Sequence, residues 1–343
     1  MTELQKFQET LIVDTVEVVD EREELLRVWI DESTPYAGCT LKLASADASF
    51  RRYFRLFTPK QTFIVMDAPP ALESCHPFIE IGQWMYTAGI RVPKIHFVDL
   101  KLGFMILSDF GDVHYQEALL SEKRNQLYEF AIEKILQFQL KLKEMGQALP
   151  SFAPEWQIKE LDIFREWCLP NIESTEYLGF IQPLIEEIEK IPKSFMHRDF
   201  HCRNLLVLTD GTPGIIDFQG AMNGPITYDL VSLLRDCYVD NSEDWIHQHV
   251  IQYRTKLIKN GIISPEIGEN LFKKWFDWTG LQRHIKCLGI FHRLKLRDNK
   301  PKYLLDVPRV LRYARFVLNA YPELSDLKYL VEQAKISSHE LSS

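Results

Sequence analysis

Met196-His197-Arg198-Asp199-Phe200-His201-Cys202-Arg203-Asn204, followed eighteen residues after its aspartate by Asp217-Phe218-Gln219, decides the reading of this chain. The first segment has the form H-R-D-x-x-x-x-N, and the second sets an acidic residue at the end of a short apolar run. Transfer of a γ-phosphoryl group needs a carboxylate to orient the attacking hydroxyl and accept its proton. It also needs oxygen ligands for magnesium, which offsets charge on the phosphates. Asp199 is the candidate for the first role, and Asn204 and Asp217 for the second. The spacing has a mechanical reason: a loop carries Asp199, a five-residue step brings round the Asn204 amide, and a hairpin returns Asp217. Aspartate and asparagine are also ordinary turn and capping residues, so each position alone is compatible with a purely local role. Both segments in this order, flanked by apolar strands, favour the chemical reading.

Outward from this motif, Leu205 to Leu208 and Gly214 to Asp217 are brief apolar runs separated by the turn Thr209-Asp210-Gly211-Thr212-Pro213, which predicts a small hairpin. Around it the chain reads as mainly helical. Leu127, Ala131, Ile135, Phe138, Leu142 and Met145 recur at spacings of three and four, the signature of one long amphipathic helix. The N-terminal part differs. After a helix near Arg22 to Ile30 come strands at Thr40 to Ser45, Phe50 to Phe57 (FRRYFRLF) and Thr62 to Met66 (TFIVM). A helix from Pro77 to Ala88 then stops at Gly89, and further strands follow at Ile95 to Val98 and Phe104 to Leu107. The expectation is an α+β chain with a sheet-bearing N-terminal lobe at 1–111, a helical lobe at 112–343, and a joint near Ser108 to Asp112. No internal repeat is seen, and the tail after about Lys335 is short and polar.

With 343 residues and 46% hydrophobic content, the chain can bury a large core. No run of about 18 apolar residues occurs and Met1 to Asp14 is polar and acidic, so neither a membrane span nor a secretory signal is expected. Six cysteines (Cys39, Cys75, Cys168, Cys202, Cys237, Cys287) show no C-x-x-C pair or metal-ligand spacing, which fits reduced thiols in a cytoplasmic protein. A net charge of -8 disfavours nucleic acid or an anionic membrane as partner, because both attract a basic face. No obligate protein partner is inferred.

The sequence resembles the aminoglycoside and choline phosphotransferase branch of the protein-kinase-like superfamily over nearly its whole length. Ser45-Ala46-Asp47-Ala48-Ser49-Phe50-Arg51-Arg52-Tyr53-Phe54-Arg55, Val65-Met66-Asp67-Ala68-Pro69-Pro70, Gly224 to Asp236 and Gly280 to Lys286 look like bacterial anomeric kinases. Those enzymes phosphorylate N-acetylmuramate and N-acetylglucosamine at C1 in cell-wall recycling. The resemblance implies a bilobal kinase-like fold, an antiparallel N-terminal sheet with a helix, and a helical lobe holding a catalytic hairpin. It implies ATP and Mg2+ as cofactors, Asp199 as base, Asn204 and Asp217 as metal ligands, and a nucleotide-covering loop at Ser45, Asp47, Ala48, Ser49 and Phe50. Arg52 and Asp109 are further candidates for nucleotide contact.

Two departures stand out. The loop is rich in serine and alanine rather than glycine, although small side chains and hydroxyls can still serve phosphate oxygens. More seriously, TFIVMD has Met66 and Asp67 where most kinases place a phosphate-pairing lysine. Arg51 or Arg52 could supply the missing cation, or magnesium and loop amides could suffice. Glu80 lacks a lysine partner and reads as a surface charge.

His197 is expected to orient the loop. His201 and Arg203 either touch substrate or phosphate, or face solvent. Asp229 and Asp236, seven apart on an apolar helix, share a face, and only one is expected to reach the site; Asp229 either caps the helix or braces the loop. Gln282, Arg283, His284 and Lys286 either form a solvated polar face or, as the resemblance suggests, include a substrate contact at Arg283. The expected function is an ATP-dependent small-molecule kinase acting on an N-acetylated amino sugar. An aminoglycoside- or choline-type kinase and a nucleotide-binding pseudokinase are the alternatives.

Overall fold

The computed structural model describes residues 20–45, 51–334 and 336. They fall into two compact units, one made of residues 1–75 and 95–109 and the other of residues 76–94 and 110–343.

The first unit begins with helix α1 (Glu21–Ser33), where the Asp20 side chain accepts from the backbone N–H groups of Arg22 (3.2 Å) and Glu23 (3.0 Å). Such an N-cap satisfies amides that have no intrahelical partner. Five strands follow: β1 (Thr40–Ser45), β2 (Arg52–Phe57), β3 (Thr62–Asp67), β4 (Ile95–Asp99) and β5 (Phe104–Ser108). They form an antiparallel sheet in the order β1-β2-β3-β5-β4. Alternation along FRRYFRLF works as expected, with Phe54 and Leu56 pointing into the core while Arg55 stays half-buried. Leu26, Trp29 and Ile30 of α1 complete that core against Val65, Phe104 and Ile106. Phe50 lies outside the described residues.

The second unit opens with α2 (His76–Thr87). Gly89 ends it at φ +76°, with its N–H on the Tyr86 carbonyl (3.0 Å) and the Ile90 N–H on that of Met85 (2.9 Å). This paired arrangement needs a left-handed residue, and glycine takes that conformation without a Cβ penalty. Then come α3 (Tyr115–Ala118), α4 (Arg124–Lys141), α5 (Lys143–Ala148), α6 (Pro154–Cys168) and α7 (Ser174–Ile188). The single amphipathic helix expected from Leu127 to Met145 is thus two helices. The break falls at Leu142 (φ -110°, ψ 14°), which is buried, and the shorter piece turns to pack on the next strand.

That strand is β6 (Lys193–Met196), paired antiparallel with β9 (Met222–Pro225); between them β7 (Leu205–Val207) and β8 (Pro213–Ile215) form the predicted hairpin. Helices α8 (Tyr228–Leu234), α9 (Glu243–Lys259), α10 (Glu269–Leu296), α11 (Val307–Ala320) and α12 (Ser325–Gln333) complete the unit. The 28-residue α10 runs through its middle and is buried on nearly all sides. It lies close against α6, where a Cβ on Gly289 would stand 2.5 Å from the Phe164 nitrogen. Only glycine permits that approach, and it brings polar residues of the two helices together.

Candidate active site

The chain leaves β6 at Met196 and immediately enters the H-R-D loop. The Asp229 carboxylate, at the start of α8, accepts from the backbone N–H of His197 (2.7 Å) through Oδ2 and of Arg198 (2.9 Å) through Oδ1. Arg198 sits at φ +78°, a left-handed conformation costly for a residue with a Cβ. The double acceptor on consecutive amides holds it there. At the far end of the loop Asp236 accepts from the Cys202 N–H (2.8 Å) through Oδ2 and from the Tyr238 N–H (2.8 Å) through Oδ1. Both carboxylates therefore brace the H-R-D loop, whereas the sequence reading expected only one of them to reach the site. The short helix ends at Leu234, so Asp236 is free of the helical period that set that expectation. His197 is fully buried with its ring against Phe138 and Phe200, and burial lowers its pKa to about 4, so it packs as a neutral ring.

Within the loop the His201 N–H bonds the Asp199 carbonyl (3.0 Å) and the Asn204 N–H bonds that of His201 (2.9 Å), giving a tight turn. The Asn204 amide nitrogen donates to the Asp199 carbonyl (3.0 Å) and to Asp217 Oδ2 (3.3 Å), which leaves its Oδ1 as an acceptor for a cation. Asp217 is exposed, lies at φ +63°, and takes a further bond from the Gln219 side chain (2.7 Å) on Oδ1. The structure thus gathers Asp199, Asn204 and Asp217, as the motif spacing predicted. Among the described residues no group of three or more His, Cys, Asp or Glu is arranged to hold a metal without help. One carboxylate, one amide oxygen and the oxygens of a bound phosphate suit magnesium, which keeps few protein ligands.

On the other side of Asp199 lies a buried polar cluster built from α6 and α10. Glu160 accepts from Trp156 Nε1 (3.3 Å) and Lys286 Nζ (3.2 Å) on Oε1 and from Gln282 Nε2 (3.1 Å) on Oε2, and it pairs with Arg198 Nε (3.2 Å). Lys286 also donates to the Tyr228 hydroxyl (3.1 Å). Arg283 is 3% exposed, and its Nη1 donates to Cys237 Sγ at 3.3 Å. Gln282, Arg283, His284 and Lys286 are all buried, so they do not form a solvated polar face. Close helix packing withdraws them from water and gives them partners across the cluster. Burial alone would raise the pKa of Asp199, but the charges of Lys286, Arg198, His201 and Arg283 outweigh it and hold the carboxyl at about 2. Asp199 is therefore a standing carboxylate.

The remaining candidates are more firmly tied. The His201 ring packs edge-on to Tyr238, and burial lowers its pKa. The Arg203 guanidinium lies 3.5 Å from the Tyr238 ring centroid, donates to Gln116 Oε1 (3.0 Å) and pairs with Asp306 (3.8 Å). In the sheet unit, Asp67 is fully buried between Arg22 (2.7 Å) and Arg52 (2.7 Å), and Arg52 also pairs with Asp20. Arg51 is buried against Glu73 (2.7 Å), and Asp109 pairs with Arg55 (2.7 Å). Both arginines proposed to replace the lysine thus hold carboxylates of their own unit. Asp47, Ala48, Ser49 and Phe50 lie outside the described residues; Ser45 ends β1. Glu80 is exposed on α2, as its lack of a partner suggested.

Sequence reasoning missed Trp156 and Glu160. The signal was present: Gln157, Glu160, Leu161, Phe164 and Cys168 mark the buried face of α6, and a glutamate on such a face needs a partner.

Residues 40–260 match the model of the phosphotransferase enzyme family, and the chain belongs to that family. An N-acetylmuramate/N-acetylglucosamine kinase of Neisseria meningitidis serogroup B is 37% identical over 323 residues, covering 91% of this chain and 95% of the relative. A Pseudomonas aeruginosa protein of the same name is 36% identical, covering 91% and 96%. In fold, a choline kinase from Streptococcus pneumoniae superposes with a TM-score of 0.62 at 12% identity over 88% of this chain and all of the other. The chain is a kinase, transferring a phosphoryl group to a hydroxyl acceptor. No helix among the described residues is long and apolar enough to cross a membrane.

Proposed function

We propose that this kinase uses ATP and magnesium to phosphorylate the anomeric C1 hydroxyl of N-acetylmuramate, N-acetylglucosamine or both, in the cytoplasm, as a step in reuse of cell-wall sugars. The observation that carries the reading is Asp199: a carboxylate kept ionised by neighbouring cations, in one motif with Asn204 and Asp217. Asp199 would accept the proton of the C1 hydroxyl as it attacks, while Asn204 and Asp217 would hold the metal that neutralises phosphate charge. Residues 1–111 would serve the nucleotide and residues 112–343 the acceptor. The names of relatives similar over nine-tenths of the chain support the sugar.

A choline- or aminoglycoside-type acceptor fits less well. A cationic substrate calls for carboxylates, yet Arg198, Arg283 and Lys286 surround Asp199 and the nearby Glu160 is already shared between two of them. A pseudokinase would have no use for all three of Asp199, Asn204 and Asp217. The deciding experiment is magnesium-dependent ADP release with each sugar, followed by 31P NMR of the product. The expected product carries phosphate at C1 and has lost its reducing end. ADP release with choline or an aminoglycoside and none with either sugar would overturn the reading.

A further inference from the structure

Three cations, Arg198, Lys286 and Arg283, act on Asp199, and they differ in how they are partnered. Glu160 is shared by Arg198 and Lys286. Arg283 is different: among the described residues its one hydrogen-bond partner is the Cys237 sulfur, and its Nε is buried with no partner. The nearby Asp236 has both oxygens on the amides of Cys202 and Tyr238 and forms no ion pair with it. Asp199, Asp229 and Asp236 act on this guanidinium through space, but at 3% exposure its N–H fork has only a thiol as hydrogen-bond partner, and buried donors of that kind are rarely left without an oxygen acceptor. Beside it, the buried Oε1 of Gln282 and Nδ1 of His201 also lack partners. A guanidinium with open N–H donors, an open amide oxygen and an open imidazole nitrogen match a molecule that carries both an anionic group and hydroxyls.

We propose that Arg283 receives the carboxylate of the acceptor and sets a preference for carboxylated over neutral amino sugars. This rests on the reading of the acceptor as an N-acetylated amino sugar. N-acetylmuramate and N-acetylglucosamine share the C1 hydroxyl and the acetamido group and differ in the lactyl ether on O3, which carries the carboxylate. A fork of N–H donors is the side chain best matched to such a group, and burial strengthens the contact. An oxyanion could also come from the transferred phosphoryl group, which every acceptor shares; the two sources make different predictions.

The test is kcat/KM for both sugars in the wild type, Arg283→Met and Arg283→Lys, with the carboxamide of N-acetylmuramate as a third acceptor. The wild type should favour N-acetylmuramate over its carboxamide about ten- to hundredfold, the worth of a charge-assisted contact. In Arg283→Met the ratio of kcat/KM for N-acetylmuramate to that for N-acetylglucosamine should fall by a similar factor. Arg283→Lys should recover part of it, since it keeps the charge and loses the fork. A fall shared equally by both sugars would assign Arg283 to the phosphoryl group and overturn the proposal. If Arg283→Met does not fold, the carboxamide decides: equal use of acid and amide by the wild type overturns it. Failure of both sugars as substrates would instead overturn the assigned function.

Discussion

Asp199, the base proposed here, has its acidity set by other residues. Its ordinary pKa is about 3.9. Burial pushes it up, and the charges of Lys286, Arg198, His201 and Arg283 bring it down to about 2. Asp199→Asn keeps the shape and removes the proton acceptor, so kcat should fall about 10²- to 10⁴-fold while nucleotide affinity is retained. Because the folded value is depressed, the carboxylate contributes stability above its ordinary value and loses it as pH falls through about 2. The stability difference between wild type and Asp199→Asn should therefore be constant from pH 5 to 7 and shrink between pH 4 and 2 in urea titrations. A difference independent of pH would mean that the surrounding cations do not act on Asp199. Asp217 plays another part. As an exposed oxygen donor beside Asn204, it should matter for metal-nucleotide binding, and Asp217→Ala should weaken that affinity in calorimetry. Unchanged affinity would remove it as a metal ligand.

At the scale of elements, the loop is shaped by α8 and the turn after it. Asp229→Ala should leave the His197 and Arg198 amides unanswered, at about 1–3 kcal/mol for each. It should also let Arg198 leave its left-handed conformation, so kcat should fall even where folding is complete. Thermal unfolding and kcat together check this; a stable, fully active Asp229→Ala enzyme would show that the loop holds itself. Much at this scale was legible in the sequence. The alternation of FRRYFRLF, the glycine after α2 and the apolar runs around Thr209 to Pro213 each encode their element locally, and the motif spacing brought Asp199, Asn204 and Asp217 together. The partner of Glu160 was not legible, because periodicity tells which face of a helix is buried and not what buries it. Glu160 and Lys286 meet across 126 residues of chain through a contact made possible by Gly289. The carboxylate partners of Arg51 and Arg52 were hidden for a similar reason. Alternation gives the side-chain direction of Arg52 on β2, Arg51 lies just before that strand, and the carboxylate partners of both come from other segments, at Asp20, Asp67 and Glu73.

Over the whole molecule, each unit carries its own buried carboxylate held by arginine, and the two differ in what removal of the carboxylate leaves behind. In the sheet unit Asp67 is 0% exposed, but its partners Arg22 and Arg52 are 27% and 28% exposed. In the helical unit Asp277 is 0% exposed and its partner Arg235 is 1% exposed (2.8 Å); Lys273 also pairs with Asp277, and the Tyr321 hydroxyl donates to it (2.6 Å). Deleting Asp67 leaves two guanidinium groups that can turn to water, so Asp67→Ala should cost about 1 kcal/mol, the usual size for a point substitution. Deleting Asp277 leaves Arg235 enclosed, with Glu243 (2.7 Å) as its remaining carboxylate. Breaking a buried pair while one charge stays buried costs about 3–5 kcal/mol, and the Glu243 contact places Asp277→Ala towards the lower end of that range. Urea midpoints at neutral pH should thus fall further for Asp277→Ala than for Asp67→Ala, with kcat for the folded Asp277→Ala protein close to wild type because Asp277 touches none of the H-R-D loop. Equal midpoints, or a larger loss for Asp67→Ala, would mean that burial of the surviving partner does not set the cost of breaking these pairs.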